Sequence, residues 1–415
     1  MIRLPDLPAV VEVESWVRDQ LGDLTSGEWR RSPITGGQTA ANAALAAFDV
    51  TGYARRRNEV WPVQRRGGSR LSPYIRHGLL SLPVVWDAVA DGPPDDVAKF
   101  RDELLWQEYA RHVYARLGSA TGHSLRYAVQ EYDDSPGRLD SWSGDEACLA
   151  LARTELLEDG YLPNQMRMWL ASHWSVREGR GWREGEDRFF RHLLDGSRAA
   201  NRVGWQWTVG ALTGKPYGFS RWQVEKRAPG LCAACPVSGH CPITDWPPAS
   251  QPEARAFVDP RMRRDEDVAS TAGPSVVECT GDPQAVWLTA ESLGDDDPAL
   301  SAHAELPVIF VFDEQLLTAL RLSAPRLVFL AECLADLADR RAVEVHRGNP
   351  VEVLSDRRVA TTFAPVPGWR RRAESITPVE VHPWPWLVRP HAKSVTSFTA
   401  WQRSGGTVRS TSAGG

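Results

Sequence analysis

No stretch of this 415-residue chain approaches the roughly 18 consecutive apolar residues that a membrane-spanning helix needs. The opening MIRLPDLPAV has neither a basic n-region nor an apolar h-region. No secretion signal is read there, and a cytoplasmic location is expected. Six cysteines are too few for a disulfide scaffold and suit a reducing compartment. Positive charge is not in excess either: the net charge of −5 argues against a uniformly basic nucleic-acid binder and leaves room only for a local patch. With 42% hydrophobic and 24% charged residues, wholesale disorder is excluded, and the length suits two to three domains. What the chain has in excess is tryptophan, 18 residues of it.

Apolar spacing of three and four residues predicts helices over 97–117 and 145–159, with Gly and Pro punctuating the gaps. Residues 242–274 turn Pro-rich and aperiodic, a linker signal. Beyond them the run PVIFVF (307–312) ends in Asp313, as a buried parallel strand would. A helical stretch (326–338) and AVEVH (342–346) follow, giving a strand–helix–strand unit and an open α/β sheet. The Gly/Ser/Thr-rich tail, 404–415, is expected to be disordered.

Gly67, Gly68, Ser69 and Ser72 lie just before a predicted helix start at Pro73, where backbone N–H groups and hydroxyls can meet a phosphate or simply cap the helix. Trp205 and Trp207 flank one residue of a helix, so one must point inward and the other toward a cleft or solvent. Cys232, Cys235 and Cys241 form a dense thiolate group with the spacing of a metal site. A fourth ligand could be Cys148, Cys279, His240 or Cys333, and spacing alone suits zinc as well as iron–sulfur.

Five stretches in order along the chain, GSRLSP (68–73), ELLWQEY (103–109), YLPNQMRM (161–168), WREGEDRFF (182–190) and NRVGWQW (201–207), resemble the signature segments of the FAD-binding domain of the DNA photolyase and cryptochrome family. The resemblance extends over residues 35–230 and implies an all-helical domain holding FAD. It implies that Tyr53, Ser69, Leu71 and Ser72 contact the FAD phosphates and ribityl chain, that Arg167 and Asp195 pair beside the isoalloxazine, and that Asn201 faces flavin N5. Gln107 stands where the family carries arginine. Trp205 and Trp182 match the inner members of the family's electron-transfer chain, and spacing from Trp142 puts the outer member on Tyr132. Trp106, Trp207, Glu103, Asn164 and Met168 match the contacts to a flipped cyclobutane pyrimidine dimer: aromatic walls stack on the bases, and the carboxyl and amide read their edges. No histidine occurs within residues 163–167, where the (6-4) photolyases place one, which favours the cyclobutane dimer. The arginines at 55, 56, 57, 65, 66, 70 and 76 are then candidates for DNA phosphate contacts.

The iron–sulfur bacterial branch of the family resembles this chain at its cysteines, which selects Cys148 as the fourth ligand beside Cys232, Cys235 and Cys241 and a [4Fe–4S] cluster over zinc. Residues 286–304, 307–313, 326–337, 343–354 and 397–401 resemble the family's antenna domain, which here comes last, as in a circular permutation. Its chromophore is not readable, because Thr289 and Ala290 replace the usual arginine. The expected fold is therefore an all-α FAD-binding domain with the iron–sulfur cysteines (1–241), a linker (242–274) and a smaller α/β open parallel-sheet, Rossmann-like domain (275–403). The expected function is blue-light-driven repair of pyrimidine dimers in damaged DNA by a monomer without membrane attachment. The alternative is a cryptochrome-type photoreceptor with the same fold and FAD.

Overall fold

The chain begins on the sheet rather than in the helices. In a computed structural model, which describes residues 2–129, 142, 144–247, 252–255, 258–405 and 408, strand β1 (Ile2–Arg3) pairs antiparallel with His346 and Arg347 of the far C-terminal half. Helix α1 (Val13–Leu21) then buries Val13, Trp16, Val17 and Leu21. The helical body follows as α2 (Gln38–Ala47), α3 (Tyr53–Arg56), α4 (Ser72–Arg76), α5 (Leu82–Ala88) and α6 (Pro94–Leu117). After strand β2 (Tyr127–Ala128) come α7 (Ala147–Glu158), α8 (Asn164–Ser172), α9 (Trp182–His192), α10 (Arg198–Thr208) and α11 (Arg221–Arg227). The predicted helices at 97–117 and 145–159 are thus α6 and α7. α6 opens on Pro94 with Asp95 and Asp96 in its first turn, where acids suit the helix dipole, and stops at Gly118, whose φ of +56° suits the residue without a side chain.

Residues 242–274, expected as a linker, carry structure in their described part. Strand β3 (Glu253–Ala254) pairs with β2, and helix α12 (Val268–Ala272) packs on α6. Seven strands follow the order β1-β7-β6-β5-β8-β9-β4, with β4 (Glu278–Cys279), β5 (Ala285–Leu288), β6 (Val308–Asp313), β7 (Val343–Gly348), β8 (Val359–Thr362) and β9 (Glu380–His382). β7, β6, β5, β8 and β9 are parallel, and β1 and β4 close the two edges antiparallel. The sheet is therefore mixed rather than purely parallel, because the N-terminus and residues 278–279 each add an edge strand. Between strands run α13 (Pro298–Ala302), α14 (Glu314–Leu320), α15 (Ala324–Ala338), α16 (Pro350–Leu354) and α17 (Pro367–Ile376). The chain winds outward from β5 through β6 to β7 and then returns to β8 beside β5. That reversal is the switch point at which open α/β sheets form a ligand crevice.

One buried cluster runs through both halves, holding Val17 of α1, Val113 of α6, Phe310 of β6 and Leu327 of α15. The C-terminal segment is clamped onto α6 by polar groups on a single face. Glu108, His112 and Arg116, at i, i+4 and i+8, are all buried. Glu108 Oε1 accepts from Val388 N at 3.0 Å, and His112 Nε2 donates to Val388 O at 2.8 Å. Arg116 donates to the carbonyls of His391 (2.6 Å) and Lys393 (2.9 Å) and pairs with Asp265 at 3.2 Å. Helix α18 (Phe398–Ser404), capped by Ser397, completes the join: Trp401 Nε1 donates to His112 Nδ1 at 2.9 Å. Burial pushes the His112 pKa down to about 3, so the ring is neutral and its Nδ1 is free to accept.

Candidate functional site

The GSRLSP turn aims its last hydroxyl inward. Arg70 adopts φ +58°, Ser69 Oγ accepts from Leu71 N at 3.3 Å, and the fully buried Leu71 anchors the turn. Ser72 begins α4 and donates to Asp195 Oδ2 at 2.5 Å. From α8, Arg167 reaches the same oxygen at 2.7 Å while its Nε donates to Leu162 O at 2.8 Å. Burial would raise the Asp195 pKa, but the Arg167 charge and the hydrogen bonds from Arg167 and Ser72 outweigh it, so the carboxyl is held below its ordinary value. Ser197 caps α10, which places Asn201 one turn into that helix. Asp195 and Asn201 are only 7% and 6% exposed, and Asp195 Oδ1 and Asn201 Nδ2 are buried without a hydrogen-bond partner. A buried acceptor and donor left open in this way suit a polar heterocycle such as an isoalloxazine edge. Tyr53, also buried, packs edge-on against Phe100 at 5.0 Å.

The sheet body contributes a group to this centre that the sequence did not flag. Arg326 of α15 is 2% exposed and donates to Gly196 O at 2.7 Å, leaving its Nε and Nη1 without partners. Burial lowers its pKa to about 9.

The residues expected to meet a lesion fall into three groups. Asn164 and Met168, one turn apart on α8, touch through Nδ2 and Sδ at 3.6 Å. On α6, Glu103 pairs with Arg57 (3.2 Å) and Lys99 (3.1 Å), and Trp106 is stacked by Phe398 at 3.9 Å and 13°. Trp207 is half-buried beside Tyr217 at 5.6 Å, whereas Trp205 is buried, so the two indoles of WQW diverge as the helical period requires. Phe398, from the C-terminal segment, was missed because nothing local in the sequence links it to α6. Much of the arginine cluster carries its own counter-charge: Arg57, Arg65, Arg66 and Arg76 pair with Glu103, Glu59, Glu155 and Glu291. That leaves it a weaker phosphate track than its sequence density suggests.

Trp182 opens α9, and Trp205 packs against the same helix at Gly185, where an added Cβ would sit 2.2 Å from the indole. Both indole N–H groups are buried without partners. Phe189 contacts Trp205 (5.1 Å) and Trp142 (5.8 Å), and Trp142 contacts Trp174 (5.2 Å). Tyr132 lies outside the described residues.

The four expected cysteines converge. Cys148 of α7 lines one small pocket with Cys232, Cys235 and Cys241, joined by Glu146 and Arg221. Cys235 Sγ accepts from Ala147 N at 3.3 Å. Burial, reinforced by Cys232 and Cys241, pushes the Cys148 thiol far up, and burial also raises Cys232. Among the described residues, only His303, Glu380 and His382 bring three candidate ligand atoms within 4.8 Å of one another. No three of the four cysteine sulfurs therefore lie within 4.8 Å of one another. Cys333 is buried against Gly36 and Cys279 is exposed, and neither lines this pocket.

A second cavity of about 610 Å³ lies where the C-terminal ends of the strands face the helical body. Thr289, Asp313, Asn349 and Trp384 line its sheet side, and Gln107 and Ala200 line its helical side.

Residues 100–222 match the family model described as the FAD binding domain of DNA photolyase. The chain is 28% identical over 193 residues to a deoxyribodipyrimidine photo-lyase of Synechococcus sp., covering 43% of this chain and 39% of that protein. To the enzyme of the same name in Thermus thermophilus it is 31% identical over 188 residues, 44% of each chain. A solved cryptochrome of Synechocystis sp. aligns with a TM-score of 0.43 at 22% identity, over 49% of this chain and 46% of that one. The chain spans less than half the length of the curated relatives it matches.

Proposed function

We propose that this chain, similar over its helical body to the FAD-binding domain of DNA photolyases, is a blue-light-driven, FAD-dependent enzyme that repairs cyclobutane pyrimidine dimers in DNA. One observation carries the reading: Ser72 and Arg167 converge on Asp195, while Asp195 Oδ1 and Asn201 Nδ2 stay buried and open. That is the donor and acceptor set a flavin edge needs. FAD, when bound and reduced, supplies the light-driven electron for dimer splitting.

The chain's residues hold, stack and orient. Ser69, Leu71, Ser72 and Tyr53 hold the cofactor's polar arm; Arg167 balances the charge of Asp195; and Asn201 offers a neutral amide. Trp106 and Trp207 form aromatic walls for an extruded base, Glu103 and Asn164 accept from and donate to its edge, and Met168 fills the floor. Trp205, Trp182 and Tyr132 are the proposed route by which electrons reach the site. Cys148, Cys232, Cys235 and Cys241 would hold a [4Fe–4S] cluster, a reading supported by the pocket they share. The cleft at the strand ends is the proposed place of an antenna pigment, and the order of the two bodies fits a circular permutation.

The test is reduced, flavin-loaded protein mixed with ultraviolet-damaged oligonucleotide under blue light. Recovery of pyrimidine absorbance is expected, with none in the dark. Equal binding of damaged and undamaged DNA without repair would favour the photoreceptor reading, to which the ion-paired arginines also lean.

A further inference from the structure

At the edge of the sheet away from β1, two histidines and a glutamate meet. Glu380 and His382 are two residues apart on β9, so their side chains leave the same face of the strand. α13, which packs on β8 and β9, ends at His303 and delivers that ring to the same face. His303 Nε2 lies 2.6 Å from Glu380 Oε1, and His382 Nε2 lies 2.5 Å from the same oxygen. The two imidazoles stand perpendicular, with centroids 6.0 Å apart. All three candidate ligand atoms fall within 4.8 Å of one another. Glu380 and His382 are buried, while the His303 side chain keeps 21% of its surface exposed, so one side of the cluster opens to water.

We infer that His303, Glu380 and His382 form a binding site for a single borderline divalent transition-metal ion, zinc in class, with water in the remaining position. Two imidazole nitrogens and one carboxylate are the donors such an ion prefers, whereas calcium and magnesium select all-oxygen sets. Bonds of about 2.0–2.2 Å need donor atoms roughly 3.3 Å apart, so the cluster must open by less than 1 Å from its hydrogen-bonded form. Side-chain torsions of His303 at the open face lengthen its own contact, and a small rotation of the Glu380 carboxylate has to lengthen the one to His382. Three convergent groups lose little freedom on binding, since their backbones are already fixed by the strand and by the helix end. The ion would tie the end of α13 to β9, closing a loop of 77 residues between His303 and Glu380. Its place on the sheet is remote in sequence from Cys148, Cys232, Cys235 and Cys241, and the cysteine beside it is Cys279, opposite Glu380 on β4.

The test uses the full chain with its other cofactors loaded, dialysed against a weak chelator and titrated with Co²⁺. Wild type should take up one more Co²⁺ per chain than His303→Ala, with the weak visible bands of a nitrogen and oxygen site and no thiolate charge-transfer absorption. Zn²⁺ should displace it and raise Tm in wild type but not in His303→Ala. Glu380→Gln, which keeps the shape, should weaken uptake at least tenfold. His303 is partly exposed, so its alanine variant is expected to fold, and unchanged circular dichroism checks this. Equal Co²⁺ uptake by wild type and His303→Ala, or an extra equivalent with thiolate bands in both, overturns the site.

Discussion

At Asp195 the counter-charge is hydrogen-bonded to the carboxyl, whereas at the cysteine pocket a cation, Arg221, lines the wall and burial still raises the Cys148 and Cys232 thiols. Arg167 and Ser72 both donate to Asp195 Oδ2, so that centre is braced before any ligand arrives, while Asp195 Oδ1 and Asn201 Nδ2 stay buried and open. The cysteines come from two segments: a helix brings Cys148, and a run of turns brings Cys232, Cys235 and Cys241. Burial there favours the protonated thiols over the charged ligands a metal needs. On the proposed reading, one centre is pre-organised for a flavin and the other would be finished by its cluster. Such a difference sets which centre fails first.

The sharpest way to break the comparison is to remove single cysteines. If the pocket holds the proposed cluster, Cys148→Ala and Cys235→Ala should each lose all iron, and Cys333→Ala should lose none; iron content per chain measures this. Partial retention in Cys148→Ala would mean the pocket is closed by another ligand. Next in size, Asp195→Ala strands the Arg167 guanidinium, and urea denaturation should show a loss of about 3–5 kcal/mol, as for other broken buried pairs. A loss below 1 kcal/mol would show that the ion pair braces nothing.

Acid separates the two centres more gently. The Asp195 carboxyl is held below its ordinary 3.8, so its contribution is fully present above that pH and is lost only as pH falls through the lower folded value. Thiolate ligands take up protons earlier, so iron absorbance should fall at a higher pH than flavin retention does. Simultaneous loss would collapse the distinction. The smallest effect is expected from Trp207→Ala, which should weaken damaged-DNA binding by about 1–3 kcal/mol, the scale of one stacked base, and leave iron and flavin content unchanged.

Legibility followed sequence distance. The helices α6 and α7, the strand β6 with Asp313 capping the next helix, and the inward and outward tryptophans of WQW all rest on local periodicity, which a single chain displays. The Ser72–Asp195–Arg167 contact joins segments far apart in the chain; motif resemblance pointed to the Arg167–Asp195 pair, and the bond from Ser72 came only with the fold. β1 was unreadable because two residues carry no period; they become a strand only where β7 offers a free edge. Described parts of 242–274 looked like a linker for the same reason.

The sequence by itself determined the helical periods, the apolar central strands, the turn that positions Ser72 and the residue types able to hold a flavin or a cluster. These are set by side-chain volume, polarity and backbone preference within a few residues of each other. Only the tertiary structure decided that Cys148 reaches the other three cysteines, that Phe398 covers one face of Trp106, and that four of the arginines near residue 60 face acids. It alone put His303 beside Glu380 and His382. Each of those is a meeting of groups whose separation along the chain carries no local signal. It is fixed only when burying the shared core selects one packing of helices against sheet.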